Sequence, residues 1–118
     1  MHEFSIAMSI VEIAEEEAKA VNSSNILSIE LNVGTMAGIE YYALDTALEM
    51  AVKNTLLENA SVKVNKIQAR AVCTDCKHEF DISSAFDICP NCKGLFSTVI
   101  SGKELKIKSI VVEDASND

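Results

Sequence analysis

Basic residues are scarce in this chain, with 10 lysines and arginines against 18 aspartates and glutamates and a formal net charge of -8. Nucleic-acid binding needs a basic patch or stripe, and no stretch provides one, so nucleic acid is not an expected partner. No apolar run approaches the roughly 20 residues that a membrane span requires. The start of the chain also lacks the basic segment and apolar run of a secretory signal, so the expected setting is cytoplasmic, without a membrane partner. A phosphate-cradling GxxxxGK[ST] segment is absent, which argues against nucleotide hydrolysis by the chain itself. There is a single proline and little low-complexity sequence, so disorder is expected only in the terminal DASND.

What is present is the composition of a folded protein, 48% hydrophobic and 24% charged over 118 residues, enough for one core plus a stapled subdomain. Charge is uneven. Lys19 and Lys53 stand against ten acids in residues 1–60, whereas the second half balances eight basic with eight acidic residues. An acidic half of this kind suits cations or basic partner surfaces.

Residues 4–21 place Phe4, Ala7, Met8, Val11, Ala14, Ala18 and Val21 at helical spacing, with Glu12, Glu15, Glu16 and Lys19 opposite. The stretch ILSIELNVG alternates Leu27, Ile29, Leu31 and Val33 against Ser28, Glu30 and Asn32, as a strand with one buried face does. From about Glu40 to Lys53, Tyr41, Leu44, Leu48, Ala51 and Val52 mark a second helix. Further strands are expected at 61–71, where the inward set changes phase between Val64 and Ile67 and marks a bulge or a bend, and at 104–113. The economical architecture is α+β: two helices packed on a mixed three-stranded sheet, with a small four-cysteine zinc subdomain inserted before the last strand. Residues 1–70 with 103–118 then form one domain and residues 71–102 the subdomain. Short edge strands leave room for a homodimer.

All four cysteines fall in CTDCKHEFDISSAFDICPNCKG as Cys73-x2-Cys76, twelve residues, then Cys89-x2-Cys92. Each CxxC can turn two thiolates toward one point, and four thiolates complete the closed tetrahedral shell of a structural zinc. An iron-sulfur centre and a redox dithiol are the alternatives. Zinc would supply much of the subdomain's folding free energy, with Phe80, Phe86 and Leu95 covering the metal. His78 is either a replacement ligand or a surface histidine.

The α-amino group of Met1, the imidazole of His2 and the intervening amides can chelate a metal that accepts nitrogen donors in a plane, such as Ni(II) or Cu(II). By position alone, a histidine at residue 2 is more often an ordinary surface residue than a ligand. Glu3 is readable as an oxygen donor or as favourable charge at a helix start, and Glu40 has the same two readings.

Taken together, the start MHEFSIAMSIVEIAEE, the segments IELNVGTMAGIE and ALDTALEMAVKNTLLENASVKV, the cysteine pairs in RAVCTDC and FDICPNCKG, and the final GKELKIKSIVVE resemble, in order, the HypA/HybF family of nickel-insertion proteins for nickel-iron hydrogenase. The resemblance implies a nickel metallochaperone that is not an enzyme. It implies that Met1 and His2, with Glu3 matching the family's acidic third residue, hold the Ni2+ cargo, and that Cys73, Cys76, Cys89 and Cys92 hold a structural Zn2+. Glu40 is a further candidate nickel ligand apart from the resemblance, if the two helices pack side by side and bring the loop before the second helix to the chain start. It further implies a HypB-like nucleotide-hydrolysing partner and the hydrogenase large-subunit precursor as recipient, with urease served in some relatives. No histidine lies between Cys92 and the C-terminus to add a late nickel ligand.

Two rivals use the same residues. A zinc-ribbon module for nucleic acid or a transcription complex shares the cysteines but wants lysine, arginine and aromatics on the presenting face. A zinc enzyme wants an open ligand position and a general base or nucleophile, and neither is evident.

Overall fold

The computed structural model describes residues 3–113. The elements run α1 (Glu3–Ala20), β1 (Ile26–Gly34), α2 (Tyr41–Ala51), β2 (Ser61–Ile67), β3 (Arg70–Cys73), β4 (Glu79–Asp81), β5 (Ser97–Ser101) and β6 (Leu105–Val112). The strands form two three-stranded sheets, of order β2-β1-β6 and β4-β3-β5. No helix among the described residues is long and apolar enough to cross a membrane.

The first sheet is mixed, as the α+β reading expects. Glu113 donates to the Asn25 carbonyl near one end of β1 and Gly34 donates to the Glu104 carbonyl at the other, which sets β6 antiparallel to β1. Thr35 donates to the Ile67 carbonyl at 2.9 Å and Asn65 Nδ2 donates to Asn32 Oδ1 at 3.0 Å, so β2 runs in the same direction as β1.

Described residues divide into two compact units, 3–31 with 39–64 and 107–113, and 32–38 with 65–106. In the first, α1 packs on α2. The buried positions on α1 are Ala7, Ile10, Val11, Ala14 and Ala18, and those on α2 are Leu44, Ala47, Leu48 and Ala51. Alanines along this stripe allow the two backbones to come close. Phe4 and Met8, expected inside, are each 50% exposed because they lie to one side of the alanine stripe, while Ile10 on its other side is buried. Val21, past the end of α1, is also exposed. On β1, Ile29, Leu31 and Val33 are buried as the alternation predicts, but Ile26 is buried in place of Leu27.

The expected strand at 61–71 is two strands. β2 ends at Ile67 and β3 begins at Arg70 in the other sheet, so the expected bend falls later, at Gln68 and Ala69. Gln68 Nε2 donates to the Ala69 and Ile82 carbonyls, and the Ala69 amide donates to Thr35 Oγ1. The phase change read in the sequence is the handover between sheets, each with its own buried face.

The second unit holds the antiparallel sheet β4-β3-β5. Arg70 stands opposite Asp81 and is ion-paired with it, and Ala71 stands opposite Phe80 and Val99. Its core is Ala69, Ala71, Cys73, Phe80, Ile82 and Cys89, with Met36 and Val99 packed against them. Two glycines permit close backbone approaches. A Cβ on Gly34 would lie 1.9 Å from the Gly102 carbonyl oxygen, and one on Gly102, at φ +104, would lie 2.3 Å from Ala69 Cα.

Candidate metal centre

Two turns of the same design present the cysteines. After Cys73, at the end of β3, the Lys77 amide donates to the Cys73 carbonyl at 3.0 Å and the Cys73 amide donates to the His78 carbonyl at 2.9 Å. After Cys89, the Lys93 amide donates to the Cys89 carbonyl at 2.9 Å and the Cys89 amide to the Gly94 carbonyl at 3.1 Å. Lys77 (φ 67) and Lys93 (φ 63) both occupy the left-handed region that reverses the chain after the second cysteine. The repeated CxxCK is therefore one backbone device used twice, a knuckle that points two sulfurs the same way.

The two knuckles face each other, and their four sulfurs lie within 4.8 Å of one another. Cys73 Sγ is 3.6 Å from Cys92 Sγ, and Cys76 Sγ is 3.7 Å from Cys89 Sγ. These separations are far from the roughly 2.05 Å of a disulfide. They match the edge of a tetrahedron with arms of about 2.3 Å, whose corners are about 3.8 Å apart. The tetrad is thus able to hold a metal ion, and with four sulfurs engaged no corner is left for water or substrate. Cys73 and Cys89 are buried, whereas Cys76 and Cys92 are exposed.

The surroundings treat the thiols unequally. Hydrogen bonds from the Asn91 side chain and the His78 backbone favour the Cys76 thiolate and hold its pKa down at about 6 against the opposing cost of burial, with smaller lowering contributions from Cys92 and Cys89. At Cys92 the Gly94 backbone hydrogen bond favours the thiolate, but sharing protons with Cys73 and Cys76, together with burial, outweighs it and pushes the thiol up to about 12. Asn91 Nδ2 sits 3.4 Å from Cys76 Sγ. The sequence does not single this residue out, and its place between Cys89 and Cys92 is the one cue to it. Space at Gly94 is tight: a Cβ there would lie 3.0 Å from Asp75 Oδ2, 3.2 Å from Cys92 Sγ and 3.4 Å from Cys73 Sγ.

Of the three side chains expected to cover the metal, only Phe80 is buried, in the core that contains Cys73 and Cys89. Phe86 and Leu95 are 90% and 69% exposed, because they belong to loop segments flanking the second knuckle rather than to the sheet. His78 is outside the sulfur cluster, and its ring stacks on Phe80 with centroids 6.1 Å apart.

At the start of the chain, Met1 and His2 lie outside the described residues. Glu3 and Glu40 come together. The Glu40 amide donates to Glu3 Oε2 at 3.3 Å, and Glu40 is the N-cap of α2, its carboxylate accepting the Tyr42 and Ala43 amides at 3.2 and 2.9 Å. An N-cap glutamate relieves unpaired amides where the helix dipole favours negative charge.

Two compact units, one of them built around a closed sulfur tetrad, define a small α+β metal-binding protein. The family model for "Hydrogenase/urease nickel incorporation, metallochaperone, hypA" matches residues 1–112, and the chain belongs to the HypA family. It is 39% identical over 113 residues to the hydrogenase maturation factor HypA of Parabacteroides distasonis, covering 96% of this chain and 98% of that one. With the HypA of Geobacter metallireducens it shares 36% over 113 residues, covering 96% of this chain and all of the relative. Its fold is that of the solution structure of the Ni metallochaperone HypA from Helicobacter pylori, with a TM-score of 0.66 at 22% identity over 95% and 97% of the two chains. A second HypA solution structure gives 0.71 at 22% identity, over 97% and 98%.

Proposed function

We propose that this chain is a nickel metallochaperone of hydrogenase maturation, with nickel as cargo held at the chain start and zinc as the resident metal of the sulfur tetrad. The observation that carries this reading is the family match across residues 1–112, which takes in both the MHE start and the two cysteine pairs. It favours nickel handling over the nucleic-acid reading of the same cysteines. The action is ligand exchange, so no catalytic residue is required.

For the nickel site, the Met1 amine, the His2 imidazole and adjacent amides are the nitrogen donors of a planar set. Glu3, which follows His2 in the sequence, meets Glu40 where α1 and α2 begin, and this pairing of two carboxylates supports a cation-binding role for that end of the chain. A site built on a chain end is open to a receiving protein. Its affinity falls as pH drops, because the amine and imidazole must lose protons to bind.

Cys73, Cys76, Cys89 and Cys92 are assigned to zinc on the sulfur separations and the absence of an open corner. When bound, the ion supplies a cross-link between the knuckles and no reactive position. Residues 1–70 with 103–118 carry the nickel function in this reading, and 71–102 the zinc. The chain works with a HypB-like nucleotide-hydrolysing partner and delivers to the hydrogenase large-subunit precursor, with urease as a further recipient and a homodimer as the working form, all in the cytoplasm.

The cellular test deletes the gene and measures nickel in the hydrogenase large subunit at limiting nickel. Nickel incorporation falls on deletion and returns with the chain or with excess nickel in the medium. Unchanged incorporation would overturn the proposal.

A further inference from the structure

The sulfur–sulfur hydrogen bonds at 3.6 and 3.7 Å both run between the knuckles rather than within one, joining Cys73 to Cys92 and Cys76 to Cys89. Each of these pairs also combines a buried thiol with an exposed one. An oxidant arriving from solvent therefore meets Cys76 and Cys92 first, and each has its buried partner at contact distance. Within each knuckle, by contrast, the turn is already closed by its own backbone hydrogen bonds between Cys73 and Lys77 and between Cys89 and Lys93.

We infer that the tetrad is also an oxidation site, at which a peroxide converts the four cysteines into two cross-knuckle disulfides, Cys73–Cys92 and Cys76–Cys89, with loss of the metal. The metal-loss part rests on the reading of the tetrad as a zinc centre; the pairing does not.

The chemistry balances. Cys76 Sγ attacks one peroxide oxygen, an S–O bond forms as the O–O bond breaks, and the departing hydroxide takes a proton to become water. Cys89 Sγ then displaces the sulfenic oxygen, which leaves as a second water once protonated, and the S–S bond closes. Two cysteines have lost two electrons and one peroxide has gained them. Cys92 and Cys73 repeat the sequence with a second peroxide. The two sulfurs left after the first closure are too few for a four-coordinate shell, so the ion leaves as the dication. Sulfurs now 3.6 and 3.7 Å apart need to approach by about 1.6 Å to reach disulfide length. Because both new bonds join one knuckle to the other, they substitute for the cross-link the metal provided. The unit keeps its fold but cannot rebind metal until a thiol reductant reopens the pairs.

The sequence offers a clean readout. Trypsin cuts after Arg70, Lys77 and Lys93, leaving Cys73 and Cys76 on peptide 71–77 and Cys89 and Cys92 on peptide 78–93. Full-length zinc-loaded protein is treated with a few equivalents of hydrogen peroxide in the presence of a chromogenic zinc chelator, alkylated, and digested without reduction. The expected result is release of one zinc per chain, reversed by dithiothreitol, and one doubly linked species of the two peptides. Fragmentation within each peptide should assign Cys73 to Cys92 and Cys76 to Cys89. Two separate peptides, each carrying its own internal disulfide, would overturn the inference. So would Cys73–Cys89 with Cys76–Cys92, or sulfinic acid at Cys76 with the zinc retained. If the isolated protein carries no zinc, the metal reading fails, while the peptide map of the reduced chain after peroxide still decides the pairing.

Discussion

The Glu40 amide donates to the Glu3 carboxylate across 37 positions of sequence, joining the first residue of α1 to the cap of α2. Glu40 itself is engaged twice more, since its two carboxylate oxygens accept the first amides of α2. The same carboxylate therefore has a structural duty as well as its proposed one beside nickel. Substitution separates them. Glu40→Ala should lower stability by about 1 kcal/mol through loss of the cap. Glu40→Asn, a good N-cap without charge, should restore stability by thermal denaturation while leaving nickel binding as weak as in the alanine variant. Full nickel affinity in the asparagine variant would confine Glu40 to capping.

Gly94 lies where a methyl group would press on Asp75 Oδ2 at 3.0 Å and on Cys92 Sγ at 3.2 Å, and would touch Cys73 Sγ at 3.4 Å. Gly94→Ala and Asn91→Ala should each weaken zinc binding by about tenfold or more, the first by crowding and the second by removing the donor to Cys76. Competition with a chelator of known affinity measures both. Gly38→Ala, in an open loop, serves as the control and should leave zinc affinity unchanged.

The pH dependence of the reduced, metal-free protein follows from Cys76 and Cys92, with pKa values of about 6 and about 12 against an ordinary thiol value of 9.0. A depressed pKa contributes stability that is complete above pH 9 and lost as pH falls toward 6. A raised one contributes stability that is complete below pH 9 and lost as pH climbs toward 12. The melting temperature should thus rise from pH 6 to 9 and fall beyond it. Cys76→Ser should flatten the rise, and Asn91→Ala should shift it upward in pH. Metal loading at neutral pH should release the Cys92 proton, so zinc affinity should increase with pH, as read by calorimetry in buffers of different ionisation enthalpy.

Backbone approach in the second unit gives a stability prediction independent of metal. Gly34→Ala would drive a methyl group to 1.9 Å from the Gly102 carbonyl oxygen, and Gly102→Ala would drive one to 2.3 Å from Ala69 Cα. Each should cost about 3 kcal/mol or more, at the upper end of overpacking effects or beyond. Gly38→Ala meets nothing within 4 Å and pays only for its φ of +79, about 1 kcal/mol. Denaturant melts of the zinc-saturated proteins should show that order.

The two helices and β1 were legible because they are long enough for periodicity to speak: α1 has 18 residues, β1 nine and α2 eleven. The errors there were of rotation and register. Phe4, Met8 and Leu27 look like core residues in one dimension, but alanines set the helix packing, and Ile26 takes the buried place beside Leu27. The second sheet was not legible. β3, β4 and β5 have four, three and five residues, too short for an alternation to stand out, and their core is completed by cysteines. The sulfur tetrad itself was readable from spacing alone. Its supports were not: Asn91 and the left-handed Lys77 and Lys93 look like ordinary loop residues until the knuckles are folded.

Nickel titration by isothermal calorimetry of the untagged, zinc-loaded protein, beside its His2→Ala variant and a form extended by a few residues before Met1, tests the central claim most directly. The account predicts one nickel per chain for the native protein, with binding abolished in both altered forms while zinc content and circular dichroism stay unchanged. Nickel affinity that survives both the loss of the imidazole and the blocking of the amine would contradict it.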